Sequence, residues 1–109
     1  MPQSAGMPVF VTNEPRGNSN ALNLTAGTYQ ILTGEGMVGV LSVITAASGG
    51  NWIINDSVGS AAAATQVYNQ AYGSVAAGSF TNIGFPVKTG IFLTVPTGGV
   101  AALSWSSVI

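Results

Sequence analysis

The run Ile91-Phe92-Leu93-Thr94-Val95-Pro96-Thr97-Gly98-Gly99-Val100-Ala101-Ala102-Leu103-Ser104-Trp105 places two apolar stretches on either side of a proline–glycine segment. β-Branched and aromatic residues suit a pleated, half-buried surface. Glycine supplies the positive φ that a tight turn requires. The run therefore predicts two strands, 91–95 and 100–105, joined by a hairpin turn over Pro96-Thr97-Gly98-Gly99. The same grammar extends outward. Strand-like runs fall at 8–12, 28–32, 37–46, 52–55, 65–68 and 80–83, separated by Gly, Pro, Asn and Ser clusters. Thr33-Gly34-Glu35-Gly36 and Ser48-Gly49-Gly50-Asn51 are expected turns. About eight strands in so short a chain predict one all-β domain, an antiparallel, jelly-roll-like β-sandwich.

Residues 1–21 differ in character. Met1-Pro2-Gln3-Ser4-Ala5-Gly6 is small and polar, and Asn13-Glu14-Pro15-Arg16-Gly17-Asn18-Ser19-Asn20 is a polar loop. Between them lies one isolated apolar run, Pro8-Val9-Phe10-Val11-Thr12. This predicts an N-terminal extended arm, 1–21, that pairs with a sheet edge of its own subunit or a neighbour's, followed by the sandwich domain at 22–109. The N-terminus has no basic n-region and no apolar h-region, so no signal peptide is expected. Residues 57–72 also carry helix signals, with Ser57 or Ser60 as N-cap and Gly73 beyond the end. Gly59, Thr65 and Val67 oppose a helix there and favour a loop over 57–64 and a strand from Thr65.

Charge is scarce. Only 5% of residues are ionic, against about 25% in ordinary soluble domains. They are Glu14, Arg16, Glu35, Asp56 and Lys88. The surface is then either polar and uncharged or covered by other subunits; charge depletion at interface cores favours the second. The strands point the same way. In 37–46 one face reads Met37, Gly39, Leu41, Val43, Thr45 and the other Val38, Val40, Ser42, Ile44, Ala46. A small domain has one core, so strands apolar on both sides imply a second covered surface.

The chemistry of enzymes is poorly represented. The sequence has no His and no Cys, which removes the commonest general acid–base group and every thiolate. Glu14, Glu35 and Asp56 sit in loops or turns with nothing pairing them, so no catalytic site, metal site or cofactor is expected. No Walker motif follows Gly34-Glu35-Gly36. A net charge of −1 gives no footprint for nucleic acid. The most apolar stretch, 37–47, is too short and too interrupted to span a bilayer, so no membrane is expected. Asp56 is expected to cap its own backbone amides. Lys88 is expected to act as an edge gatekeeper or as half of an intersubunit ion pair.

The second half resembles small structural proteins of tailed bacteriophages. The resemblance rests on Trp52-Ile53-Ile54-Asn55-Asp56-Ser57, a small-residue loop, Thr65-Gln66-Val67-Tyr68, Phe85-Pro86-Val87-Lys88-Thr89-Gly90-Ile91 and Gly99-Val100-Ala101-Ala102-Leu103-Ser104-Trp105. It spans roughly residues 37–106 and carries no catalytic signature. It implies a compact β-sandwich serving as a capsid decoration, head-fibre or tail-associated subunit of the virion. Its partners would be copies of itself, with a trimer suiting threefold shell sites, and a major capsid or tail protein.

The residues expected at the interface are Val9, Phe10, Val11, Val38, Val40, Trp52, Phe92 and Trp105. Two further readings stand beside this one. A carbohydrate-binding, host-attachment module would expose aromatics such as Tyr29, Tyr72 and Trp52 together on one face, with a glycan as ligand. A secreted adhesin would need the signal peptide that is not expected.

Overall fold

The computed structural model describes residues 19–108. Six antiparallel strands form one sheet among these residues: β1 Ser19–Thr33, β2 Gly36–Thr45, β3 Asn51–Asn55, β4 Gln66–Ala71, β5 Phe80–Val87 and β6 Gly90–Ser107. The order is β4-β3-β6-β2-β5, with β1 on the other edge of β6. Two short 3-10 turns, Ala63–Thr65 and Tyr72–Ser74, flank β4. Residues 57–72 contain no α-helix, and the loop-then-strand reading holds there.

The expected hairpin at residues 96–99 is a corner inside one long strand. β1 runs beside β6 along its whole length, with Gly27 opposite Val95 and Thr25 opposite Val100. Four residues of β6 therefore face one residue of β1, and the surplus bends both strands. The amide of Ser48 donates to Thr97 O at 2.8 Å and fixes the corner from the β2–β3 loop. On its other edge β6 pairs with β3 before the corner and with β2 after it. Gly90 lies opposite Thr33 and Ser107 opposite Gly36, so both ends of β6 return to the turn between β1 and β2. The result is a single sheet folded on itself and nearly closed into a barrel, where two separate sheets of about eight strands were expected. The difference has two sources. Runs 91–95 and 100–105 are one strand, and run 8–12 lies outside the described residues.

β1 also begins earlier than expected, at Ser19, inside the span assigned to the arm. The Asn- and Gly-containing stretch ahead of Thr28 reads as loop but forms bulges. Asn23 takes φ 56° and Gly27 φ 145° while the strand keeps pairing on either side.

One core fills the fold. Leu24, Val38, Leu41, Val43, Trp52, Ile54, Ile91, Leu93, Val95, Ala101 and Leu103 are buried together. In β6 the inward positions keep one parity on both sides of the corner: Ile91, Leu93, Val95, then Ala101 and Leu103. In β2 the parity changes. Three steps from Val38 to Leu41 match two steps from Trp105 to Leu103. The extra residue is a bulge at Gly39-Val40, where the Ser104 hydroxyl accepts the Val40 amide at 2.8 Å. A Cβ on Gly39 would stand 2.5 Å from that hydroxyl oxygen, so the bulge needs glycine. The bulge moves Val38, Leu41 and Val43 to the same inner face. Part of the apolar character expected on both faces of this strand is thus one face read through a change of register.

Candidate interaction surface

The three charged residues among those described gather at one end of the barrel. Glu35 lies in the β1–β2 turn, Lys88 in the β5–β6 turn and Asp56 at the end of β3. The two turns are joined by the Gly34 amide donating to Thr89 O at 2.8 Å. Asp56 closes this end. Its Oδ1 accepts the amides of Lys88 (3.1 Å), Thr89 (2.7 Å) and Gly90 (3.2 Å), and Oδ2 accepts Lys88 again at 3.0 Å. Partial burial opposes ionisation of Asp56. The three amides and the Lys88 ammonium outweigh it, and the carboxyl sits below its ordinary value. Asp56 was expected to cap its own loop; it binds a turn more than thirty residues further along. No group of three or more metal-ligating side chains occurs among the described residues. None of their helices is long and apolar enough to cross a membrane.

The outer face of the barrel is covered unequally. Before the corner, the chain covers itself. Ile54 opposes Leu93 on the inside, so Asn55, Phe92 and Gln30 share the outside. The 56–65 loop folds back over them. Asn55 Nδ2 donates to Ala62 O (2.8 Å) and Thr65 Oγ1 (3.0 Å). Gln30 Nε2 donates to Ser57 O (3.0 Å), and its Oε1 accepts the Gly59 amide (2.6 Å). Asn55 is fully buried as a result and Phe92 is half-buried.

Beyond the corner no such cover is present among the described residues. Val40, Ser42 and Ile44 of β2 face outward beside Ala102 of β6. Phe80 lies opposite Ser42 and Asn82 opposite Val40, which puts both on the same face. Phe80 is 78% exposed and Ile44 57% exposed, side by side at the end away from the charges. Among the described residues no ionic group stands on this face. Uncharged, partly apolar faces of this kind mark contact surfaces.

The expected interface residues divide three ways. Val38 and Trp52 are fully buried in the subunit's own core and present nothing to a partner. Trp52 goes inward because its position opposes the corner, where its ring lies against Gly99. Val40, Phe92 and Trp105 are half-buried; Trp105 leans on the core, Phe92 lies under the 56–65 loop, and Val40 belongs to the open face. Val9, Phe10 and Val11 lie outside the described residues. Ile44 and Phe80 were not singled out from sequence. The signal was available in the alternation Val40, Ser42, Ile44 once the bulge at Gly39 is allowed for. The aromatic platform for a sugar does not assemble. Trp52 is in the core, and Tyr29 is half-buried with its hydroxyl donating to Thr25 O at 2.6 Å, which leaves Tyr72 the exposed member of the three.

Searches against family models, curated proteins and solved structures returned no match to this chain.

Proposed function

We propose that this chain is a non-enzymatic structural subunit of a tailed-phage virion, a capsid decoration or cement protein that acts through multicopy protein–protein contacts. One observation carries the reading: the charge-free outer face of β2 and β5, with Phe80 and Ile44 standing out of it. An exposed phenylalanine beside an isoleucine gains about 25 cal/mol for each Å² removed from water, before the cost of association is subtracted. A single small contact of this kind is weak. Repetition over a particle makes it strong, because each bound copy raises the effective concentration of the next contact. The reading places the face against copies of this chain and against the major shell protein. The resemblance of residues 37–106 to small phage structural proteins agrees with it. Particles assembled with and without the protein test it. The expected result is that particles lacking the protein burst at lower temperature or weaker osmotic shock, and that added protein restores them. Equal resistance, together with no binding of the protein to the particles, would overturn the reading.

A further inference from the structure

Residues 57–64 cross the outer face of the barrel and bury almost nothing of their own. Val58 is 52% exposed, and Ser60, Ala61, Ala62, Ala63 and Ala64 are exposed as well; Ser57 is the buried exception. Hydrogen bonds from two side chains of the sheet hold the segment down. Gln30 Nε2 donates to Ser57 O at 3.0 Å, and Gln30 Oε1 accepts the Gly59 amide at 2.6 Å. Asn55 Nδ2 donates to Ala62 O at 2.8 Å. The ends of the segment are fixed separately. Asp56 binds the amides of the 88–90 turn, and its own amide donates to Thr65 O at 2.8 Å, which closes the neck of the loop. Surface loops with adjoining ends form compact units of their own.

Segments with few buried apolar contacts open at lower free energy than the core beneath them. Opening here breaks the three bonds from Gln30 and Asn55, and water can take the place of each partner. The apolar core keeps its contacts, because its buried members all lie outside 57–64. Opening also relieves a cost. Asn55 is fully buried, and its Oδ1 has no hydrogen-bond partner among the described residues. Thr94 Oγ1, on the same outer face, is in the same condition. A buried polar atom without a partner carries a desolvation penalty that contact with water returns.

We propose that residues 57–64 are a strap that opens and closes while the barrel stays folded, with Gln30 as its latch. Closed, the strap covers Asn55 beside Phe92, which opposes it on the outer face. Open, it hands that amide and the flank of the ring to solvent. The run Gly59-Ser60-Ala61-Ala62-Ala63-Ala64 then hangs free as a small-residue chain, the kind of segment at which folded proteins are nicked.

Hydrogen exchange on the full-length protein reads strap and barrel separately. The Gly59 amide is expected to exchange about a hundredfold faster than the amides of Ile54 and Leu93 in the core ladder. Its rate should stay flat in dilute denaturant, since local opening exposes little surface, while the core rates rise. Equal rates with the same denaturant dependence would overturn the proposal, because the segment would then open only with the whole fold. Exchange at the rate of an unstructured peptide would overturn it too, since no closed strap would exist. Gln30→Ala is expected to speed Gly59 exchange by about tenfold and to change Ile54 and Leu93 much less. An equal change at all three would remove Gln30 as the latch. Elastase, which cuts after small residues, gives a test on the unaltered protein. Its first cut within residues 19–108 is expected in 59–64, and the nicked protein should still unfold cooperatively. A first cut inside a strand would count against the strap.

Discussion

The carboxylate of Asp56 gathers the amides of Lys88, Thr89 and Gly90 at 2.7–3.2 Å, and through them joins the end of β3 to the turn that starts β6. In the sequence these residues stand as a strand ending in Asp-Ser and a Pro-Val-Lys-Thr-Gly-Ile run. Their pairing gives that pattern a structural meaning, a latch across the closed end of the barrel. Hydrogen bonds to a charged acceptor are stronger than neutral ones, but solvent screening at this half-exposed site limits the gain. Asp56→Asn keeps the shape and loses the charge, and is expected to cost about 1 kcal/mol. The pH dependence has a definite sign. The amides and Lys88 hold the folded carboxyl below its ordinary value, so the unfolded chain binds a proton more readily. The latch therefore contributes in full above the ordinary carboxylate range. Its contribution fades as pH falls through that range and below it. Denaturant titrations of both proteins from neutral pH to pH 2–3 should show the stability gap narrowing toward acid; a constant gap would remove the latch from the account.

At the scale of the element, the corner in β6 decides the architecture. It depends on Gly99, because a Cβ there would stand 2.9 Å from the Trp52 ring, which is fully buried and has nowhere to move. Gly99→Ala is expected to destabilise the fold by about 1–3 kcal/mol through overpacking. Gly49→Ala, with nothing within 4 Å of its Cβ and an ordinary backbone, is the matched control and should change little. Calorimetric midpoints of the two variants decide the matter. The same corner shows what the sequence could and could not convey. Strand-forming runs, their turns and the loop over 57–64 were legible, since propensity and glycine placement are local properties. Whether Pro96-Thr97-Gly98-Gly99 reverses the chain or bends it depends on Ser48, Trp52 and β1, which are remote in sequence. The bulge at Gly39-Val40 was hidden for the same reason: one inserted residue swaps the faces of everything beyond it. That is why Val38 was assigned to the surface and Ile44 was overlooked. The partial burial of Phe92 beside a loop anchored by Gln30 and Asn55 rests on hydrogen bonds spanning up to 29 residues, beyond any local pattern.

At the scale of the whole molecule, scarcity of charge acquires a geography. The ionic groups of the described residues are collected at the latch end, and the small-residue loop covers the outer face before the corner. What remains is a neutral face on β2 and β5, largest in exposure at Phe80 and Ile44. The protein thus buries internally much of the apolar surface that its sequence suggested a partner must cover. Exposed apolar side chains also stand elsewhere among the described residues, at Leu22, Val58, Phe85 and Val108, but the β2–β5 face carries the most exposed of them, Phe80. Charge placed on that face separates folding from association. Phe80→Lys and Ile44→Lys alter exposed side chains, and each should leave the thermal midpoint nearly unchanged, since surface substitutions usually fall within about 0.5 kcal/mol. A lysine carried into a nonpolar contact loses its hydration without gaining a counter-ion among the neighbouring residues of the face. Combined, the two substitutions should weaken self-association or particle binding by at least about tenfold, equivalent to 1.4 kcal/mol. Light scattering across a concentration series, with sedimentation against purified particles, measures both. A double variant that folds normally and still associates and binds like the unaltered protein would show that the contact lies elsewhere on the barrel, and Leu22 on the β1 edge would be the next residue to charge.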